Sequence, residues 1–254
     1  MNKRISFLAL IAFLTLQIPT AIATSSSDIH YTTYTVTKTK TTLESITPDL
    51  ALKHLIDGNA RFVTNRPMTR DLLKQAKATS LNGQFPAAVI LSCMDSRGSP
   101  EIIFDQGLGD LFSVRVAGNV VDTDQIGGME YATKIVGSKL VVVMGHTKCG
   151  AVKGACQGVV LGNLTALLNK IQPAVQQVKN IIKGDLDCND YTTEDKIARQ
   201  NVLDMIEQIK MKSAIIRDQV ANKQILLVGA MHDLTSGKVV FFDENGQDIS
   251  VKYN

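Results

Sequence analysis

AAVILSCMDSR, residues 87–97, runs an unbroken apolar stretch into a thiol, a carboxylate and a guanidinium at alternate positions, Cys93, Asp95 and Arg97. A short apolar run without strict alternation predicts a strand covered on both faces, as in a parallel sheet. Three more such runs follow: LFSVRVAG at 111–118, KLVVVMGH at 139–146 and ILLVGAM at 225–231. Between them lie stretches with helical spacing, MEYATKIVG at 129–137, LTALLNKIQPAVQQVKNII at 164–182, and one long pattern from Thr193 to about Asn222. Strands alternating with helices predict an α/β fold with a central, mostly parallel sheet of four strands flanked by helices. The closing LTSGKVVFFDENGQDI reads as a hairpin or edge strand turning at Ser236-Gly237.

Outward toward the N-terminus, TPDLALKHLIDGNARFV (47–63) reads as a helix begun by a capping Thr before Pro, with His54 facing the surface or a partner. Residues 24–42 are rich in Ser and Thr and read as a solvated tether. Residues 1–23 join a basic head, MNKR, to an apolar run and the small-x-small pattern Ala21-Ile22-Ala23, as in a cleaved signal peptide. A retained anchor is the other reading; the run is short for a membrane span and no second one follows it. The expected organisation is therefore signal peptide 1–23, tether 24–42 and domain 43–254, in a periplasmic or secreted protein without a stable membrane anchor. Taking Lys3 and Arg4 from the 27 basic side chains leaves 25 against 24 acidic ones, which gives no electrostatic case for a nucleic-acid partner, and none is expected. Asn163-Leu164-Thr165 is a glycosylation sequon, relevant only in a eukaryotic host.

Functional groups in open α/β sheets collect at the carboxyl ends of strands. The first apolar run ends in Cys93-Met94-Asp95-Ser96-Arg97 and the third in Gly145-His146-Thr147-Lys148-Cys149-Gly150. Were these parallel neighbours, Cys93, His146 and Cys149 would converge, and two thiolates with one imidazole suit zinc, leaving a fourth position open. Asp95, held by a bidentate Arg97, could then orient a zinc-bound hydroxide. Each part also has a plain reading: a Cys93–Cys149 disulfide, a satisfied core histidine, a structural ion pair.

C-x-D-x-R at 93–97, H-x-x-C-G at 146–150 and RVAGN at 115–119 together resemble the signature of the β-class carbonic anhydrases, with the resemblance running from about Leu50 to Phe242. It implies zinc on Cys93, His146 and Cys149, and an orienting dyad of Asp95 and Arg97. It further implies a substrate-facing set of Gln84, Phe112 and Tyr131, matching the open, plant-like subtype. The bicarbonate-regulated subtype uses a tryptophan, and this chain has none. The implied activity is reversible hydration of carbon dioxide to bicarbonate and a proton. A homodimer or tetramer is implied as well, with the site at the subunit boundary and Phe112 and Tyr131 contributed by the neighbouring chain.

Two rivals remain at this stage: hydrolysis of carbon disulfide or carbonyl sulfide on the same fold, and a non-catalytic zinc protein. Five positions stand apart from the motif. Met94, where serine is frequent, is read as packing away from the metal, and Gly98 as loosening the loop after Arg97. Cys156 and Cys188 could pair in an oxidising compartment, but spacing alone does not bring them together and the expectation is against a disulfide. For His232 a structural role is expected ahead of a proton-shuttle one.

Overall fold

The computed structural model describes residues 36–253, so the signal-peptide reading and most of the tether lie outside the described residues. Five strands form one sheet: β1 (Ala88–Ser92), β2 (Leu111–Arg115), β3 (Leu140–His146), β4 (Leu226–His232) and β5 (Val239–Phe242), in the order β2-β1-β3-β4-β5. The first four are parallel and β5 is antiparallel to β4, so the expected sheet and its added edge strand are both present. The turn before β5 closes through Asp233 and Lys238, with Gly237 at a positive φ of 74°.

Alternation splits the core in two. Val89, Leu91, Val141 and Val143 point into a cluster with Val152, Ala155, Ile197 and Val202 from the helices on one face. Ala88, Ile90, Val142 and Phe241 point into the other, with Leu52 and Leu55 of the helix Pro48–Val63. β1 and β3 are buried along their whole length, which is why their sequences lack a polar face. β2 differs: as the edge strand it leaves Ser113 and Arg115 exposed, a half-covered strand inside a sequence that reads as uniformly apolar.

Three local departures have physical causes. Residues 40–42, read as tether, start a helix, Lys40–Ser45, whose N-cap is Thr39 and whose Leu43 is buried; Lys38 forms an ion pair with Asp110. The pattern from Thr193 to Asn222 is two helices, Tyr191–Lys212 and Ala214–Ala221, because Ser213 ends one and caps the other by accepting from Ile216 N–H. The stretch around Tyr131 continues a helix, Thr123–Glu130, as a wider π turn, Tyr131–Val136. Among the described residues no helix is long and apolar enough to cross a membrane.

Candidate metal centre

Parallel pairing of β1 and β3, Ser92 beside Met144, brings the two loaded strand ends together. The chain leaves β1 directly into Cys93. It leaves β3 at His146, passes through Lys148 in the left-handed region (φ 56°), and places Cys149 as N-cap of the helix Gly150–Cys156. The ligand atoms of Cys93, His146 and Cys149, all buried, lie within 4.8 Å of one another. Cys93 and Cys149 are free thiols, not a disulfide.

These residues fit a zinc ion on their own chemistry. His146 Nδ1 donates to Thr147 O at 2.9 Å, which leaves the lone pair on Nε2, and that atom is buried without a hydrogen-bond partner. The hydrogen bond from Cys149 draws the Cys93 thiol down to about 4, against burial, with His146 and Gly118 N–H helping. Cys149 is pushed up by that same bond and by burial, since two adjacent thiolates cannot both stand uncompensated in a buried site. A divalent cation resolves that conflict by taking both as thiolates.

Beside the cluster, Asp95 Oδ2 lies 4.0 Å from His146 Nε2. Arg97 grips the carboxylate with both arms, Nε to Oδ1 at 2.8 Å and Nη2 to Oδ2 at 2.6 Å, and its backbone N–H adds a third bond at 2.9 Å. These bonds, the guanidinium foremost, hold Asp95 well below the usual carboxylate range despite partial burial. Anchored this way, the carboxylate stands beside the three candidate ligands with both of its oxygens engaged by Arg97.

Several supports carry no signal in the site motif. Arg115, at the end of β2, donates from Nε to Cys93 O at 3.2 Å and from Nη2 to Asp95 O at 2.5 Å, tying down the backbone of both residues. Gly118 N–H points at Cys93 Sγ, 3.4 Å away. Gly118 has φ 68°, and a Cβ there would come within 2.6 Å of Ile171, so glycine is required on two counts. Fully buried Asn201 donates to Gly118 O at 2.9 Å. RVAGN contains the first two; only its position next to the ligand strand could have hinted at their work.

The remaining predicted residues are not brought to this cluster within one chain. Phe112 pairs with Val89, four residues before Cys93, roughly 13 Å away at about 3.3 Å per residue. Tyr131 stacks edge-on to Phe112, ring centroids 6.1 Å apart, and is 52% exposed. Gln84 is exposed just before β1. Met94, read as packing, is instead largely exposed at 64%. Gly98 does not loosen its loop: its N–H closes a turn to Asp95 O, and a Cβ there would face the unpartnered, buried Nδ1 of His232 at 3.7 Å. The expectation against a second cysteine pair is overturned: Cys156 and Cys188 are disulfide-bonded, because the end of one helix and the turn before Tyr191 bring their Cα atoms to 5.7 Å.

Comparison with known proteins agrees with this arrangement. The family model described as carbonic anhydrase matches residues 88–239. Carbonic anhydrase 2 of Mycobacterium tuberculosis (strain ATCC 25618 / H37Rv) is 36% identical over 200 residues, 78% of this chain and 95% of its own. The carbonic anhydrase of Synechococcus elongatus is 29% identical over 208 residues, covering 78% and 74%. Among solved structures, the β-carbonic anhydrase CafA of Aspergillus fumigatus superposes with TM-score 0.62 at 23% identity, over 77% of this chain and 90% of that one. The β-carbonic anhydrase CcaA gives 0.62 at 22%, over 78% and 98%. A family model spanning more than half the chain, relatives matched along most of their length and a shared architecture have one reading: the chain belongs to the carbonic anhydrase family and has its β-class fold.

Proposed function

We propose that this carbonic anhydrase works as an exported enzyme whose metal centre is complete in one chain and whose substrate pocket is completed by a second copy. The reaction is the reversible hydration of carbon dioxide to bicarbonate and a proton, with zinc as the family's metal. Cys93, His146 and Cys149 would hold the zinc, and its positive charge would bring the pKa of a water to about 7. Asp95 accepts the hydrogen bond that aims the attacking oxygen's lone pair at carbon dioxide, and Arg97 keeps it ionised and stops it turning onto the ligand cluster. The observation that carries this reading is that carboxylate, fixed by Arg97 and 4.0 Å from the open nitrogen of His146. A purely structural metal site would gain more from a fourth ligand than from an anchored acid.

Phe112 and Tyr131 form an apolar wall suited to an uncharged, linear molecule, and Gln84 offers an amide donor to a bicarbonate oxygen. Their position at the opposite end of the sheet from the ligands supports delivery by another subunit in a dimer or tetramer. Exposed Leu81 and Ile135, close in sequence to the starts of β1 and β3, would be covered in such an assembly. Export to a periplasm or beyond is supported by the 1–23 pattern and by the Cys156–Cys188 disulfide, a bond that persists in oxidising compartments. Stopped-flow carbon dioxide hydration by the chain beginning near Thr24, with zinc content measured on the same sample from about pH 6.5 to 9, tests the whole reading. Stoichiometric zinc with hydration persisting near neutrality is expected; stoichiometric zinc without hydration at any pH would overturn it.

A further inference from the structure

The helix Gly150–Cys156 has a metal ligand at one end and a disulfide at the other. Cys149 is its N-cap, in extended conformation, and no side chain caps that end by hydrogen bonding. Seven residues make a helix about 10 Å long, too short to hold its own shape or place without outside ties. Val152 and Ala155 pack into the core, and the helix's side-chain and covalent ties to neighbouring segments lie at the far end. Cys156 is bonded to Cys188, Gln172 Nε2 donates to Ala155 O at 2.6 Å, and Gln157 Nε2 donates to Asn189 Oδ1 at 3.4 Å.

Cys188 lies in the exposed segment between the helix Gln172–Ile182 and the helix Tyr191–Lys212, where only Leu186 and Cys188 turn partly inward. Two residues on, Asp190 caps the next helix by accepting from Thr192 and Thr193 N–H at 3.2 and 3.0 Å. That helix carries buried Ile197 and Ala198 in its second turn, and they share one core cluster with Cys149, Val152 and Ala155 of the ligand-bearing segment. The disulfide therefore joins the two elements that meet at the ligand loop, the helix that carries Cys149 and the helix that faces it.

We propose that Cys156 and Cys188 are positioning residues for the metal centre: their disulfide fixes the helix that bears Cys149, and the oxidised chain holds zinc more firmly than the reduced one. Ligands must be held within a fraction of an ångström for tight metal binding, and losing an outer support typically costs ten- to a hundredfold in affinity. The coupling is reciprocal, so a zinc-loaded chain resists reduction of this bond better than an empty one. The inference rests on the assignment of zinc to Cys93, His146 and Cys149.

The test uses the oxidised holoprotein, the double variant Cys156→Ser with Cys188→Ser, and wild-type holoprotein reduced by a phosphine. The phosphine becomes its oxide with oxygen from water, and the S–S bond becomes two thiols. Zinc transfer to a chromogenic chelator is timed for each, and the visible spectrum of the cobalt-substituted protein reports the ligand geometry. Transfer about tenfold faster in both the variant and the reduced protein, with shifted cobalt bands, is expected. Rates within twofold of the oxidised wild type would overturn the proposal. Should the double variant fail to fold, the reduced wild type decides alone. Phe104→Leu, buried on the other face of the sheet, separates local from global loosening: equally fast zinc loss there would also overturn the proposal. An oxidised wild type that binds no zinc would overturn the ligand assignment and this inference together.

Discussion

The carboxyl ends of β1 and β3 and the amino ends of β1 and β2 belong to one sheet but are finished in opposite ways. At the carboxyl end the groups around the ligand cluster are held by their own chain: Arg97 holds Asp95, Gly118 N–H meets Cys93, and Thr147 O takes the Nδ1 proton of His146. Buried His146 Nε2, the atom a metal would take, is left without a partner, as are Ser92 Oγ and His232 Nδ1 at the same end. At the amino end an edge-on aromatic pair, Phe112 and Tyr131, stands half in solvent, with Gln84 exposed just before β1, and the described residues leave the pair partly uncovered. One end is built as a holder and the other as a surface, and the proposed function brings the two together through a second copy.

The largest effect should come from breaking the holder. Cys149→Ser is expected to abolish zinc binding and hydration together, because serine is a poor zinc ligand and Cys149 is buried facing the other two. Unchanged zinc content, by metal analysis of the purified variant, would remove Cys149 from the ligand set. Next is Asp95→Asn, which preserves shape but removes the charge that Arg97 anchors. It should keep zinc and lose hydration by about a hundredfold or more, since groups that orient or stabilise reacting oxygens are worth that much. Full activity would reduce the Asp95–Arg97 pair to a structural ion pair.

His232 belongs to the same end, in register with His146 and 3% exposed. Burial first, and then the neighbouring His146, lowers its pKa to about 4. In the unfolded chain it protonates near its ordinary 6.5, so between the two values the unfolded state carries the extra proton. Stability therefore falls as pH drops from about 6.5 toward 4 and levels off below, by roughly 3 kcal/mol in full. Urea unfolding at pH 7 and pH 5 should show most of that loss in the wild type and little of it in His232→Asn. Equal losses in both would mean that another group carries the dependence.

The two ends also differ in how far the sequence discloses them. The sheet was legible because AAVILS and KLVVVMGH lack a polar face, which only a doubly covered strand requires. The ligand trio was legible because Cys93 and the His146–Cys149 pair sit where two such strands stop. Arg115, Gly118 and Asn201 were not, since their work is done through backbone atoms and a positive φ that no residue pattern in one chain displays. The Cys156–Cys188 bond was hidden for a related reason: a 32-residue separation says nothing of distance until the helices between are folded back. The split at Ser213 was missed because helical periodicity runs across it, and only the hydroxyl accepting from Ile216 N–H marks the new start.

The smallest effect is the one that separates the two ends most sharply. Tyr131→Ala removes half of the aromatic pair at the amino end and should leave the ligand cluster, at the other end of the sheet, with zinc intact. Loss of a wall that shapes the pocket should lower kcat/KM by about tenfold, on the order of 1.4 kcal/mol. If the wall serves its own chain's metal, mixing this variant with Cys149→Ser restores nothing, because every chain then carries one lesion in its only site. If it serves a neighbour's metal, unfolding and refolding the two variants together gives mixed dimers in which one site pairs an intact Cys149 with an intact Tyr131. Activity recovered above the mean of the two separate samples thus requires a boundary-spanning site. Recovery absent in demonstrated mixed dimers would return Phe112 and Tyr131 to ordinary surface packing.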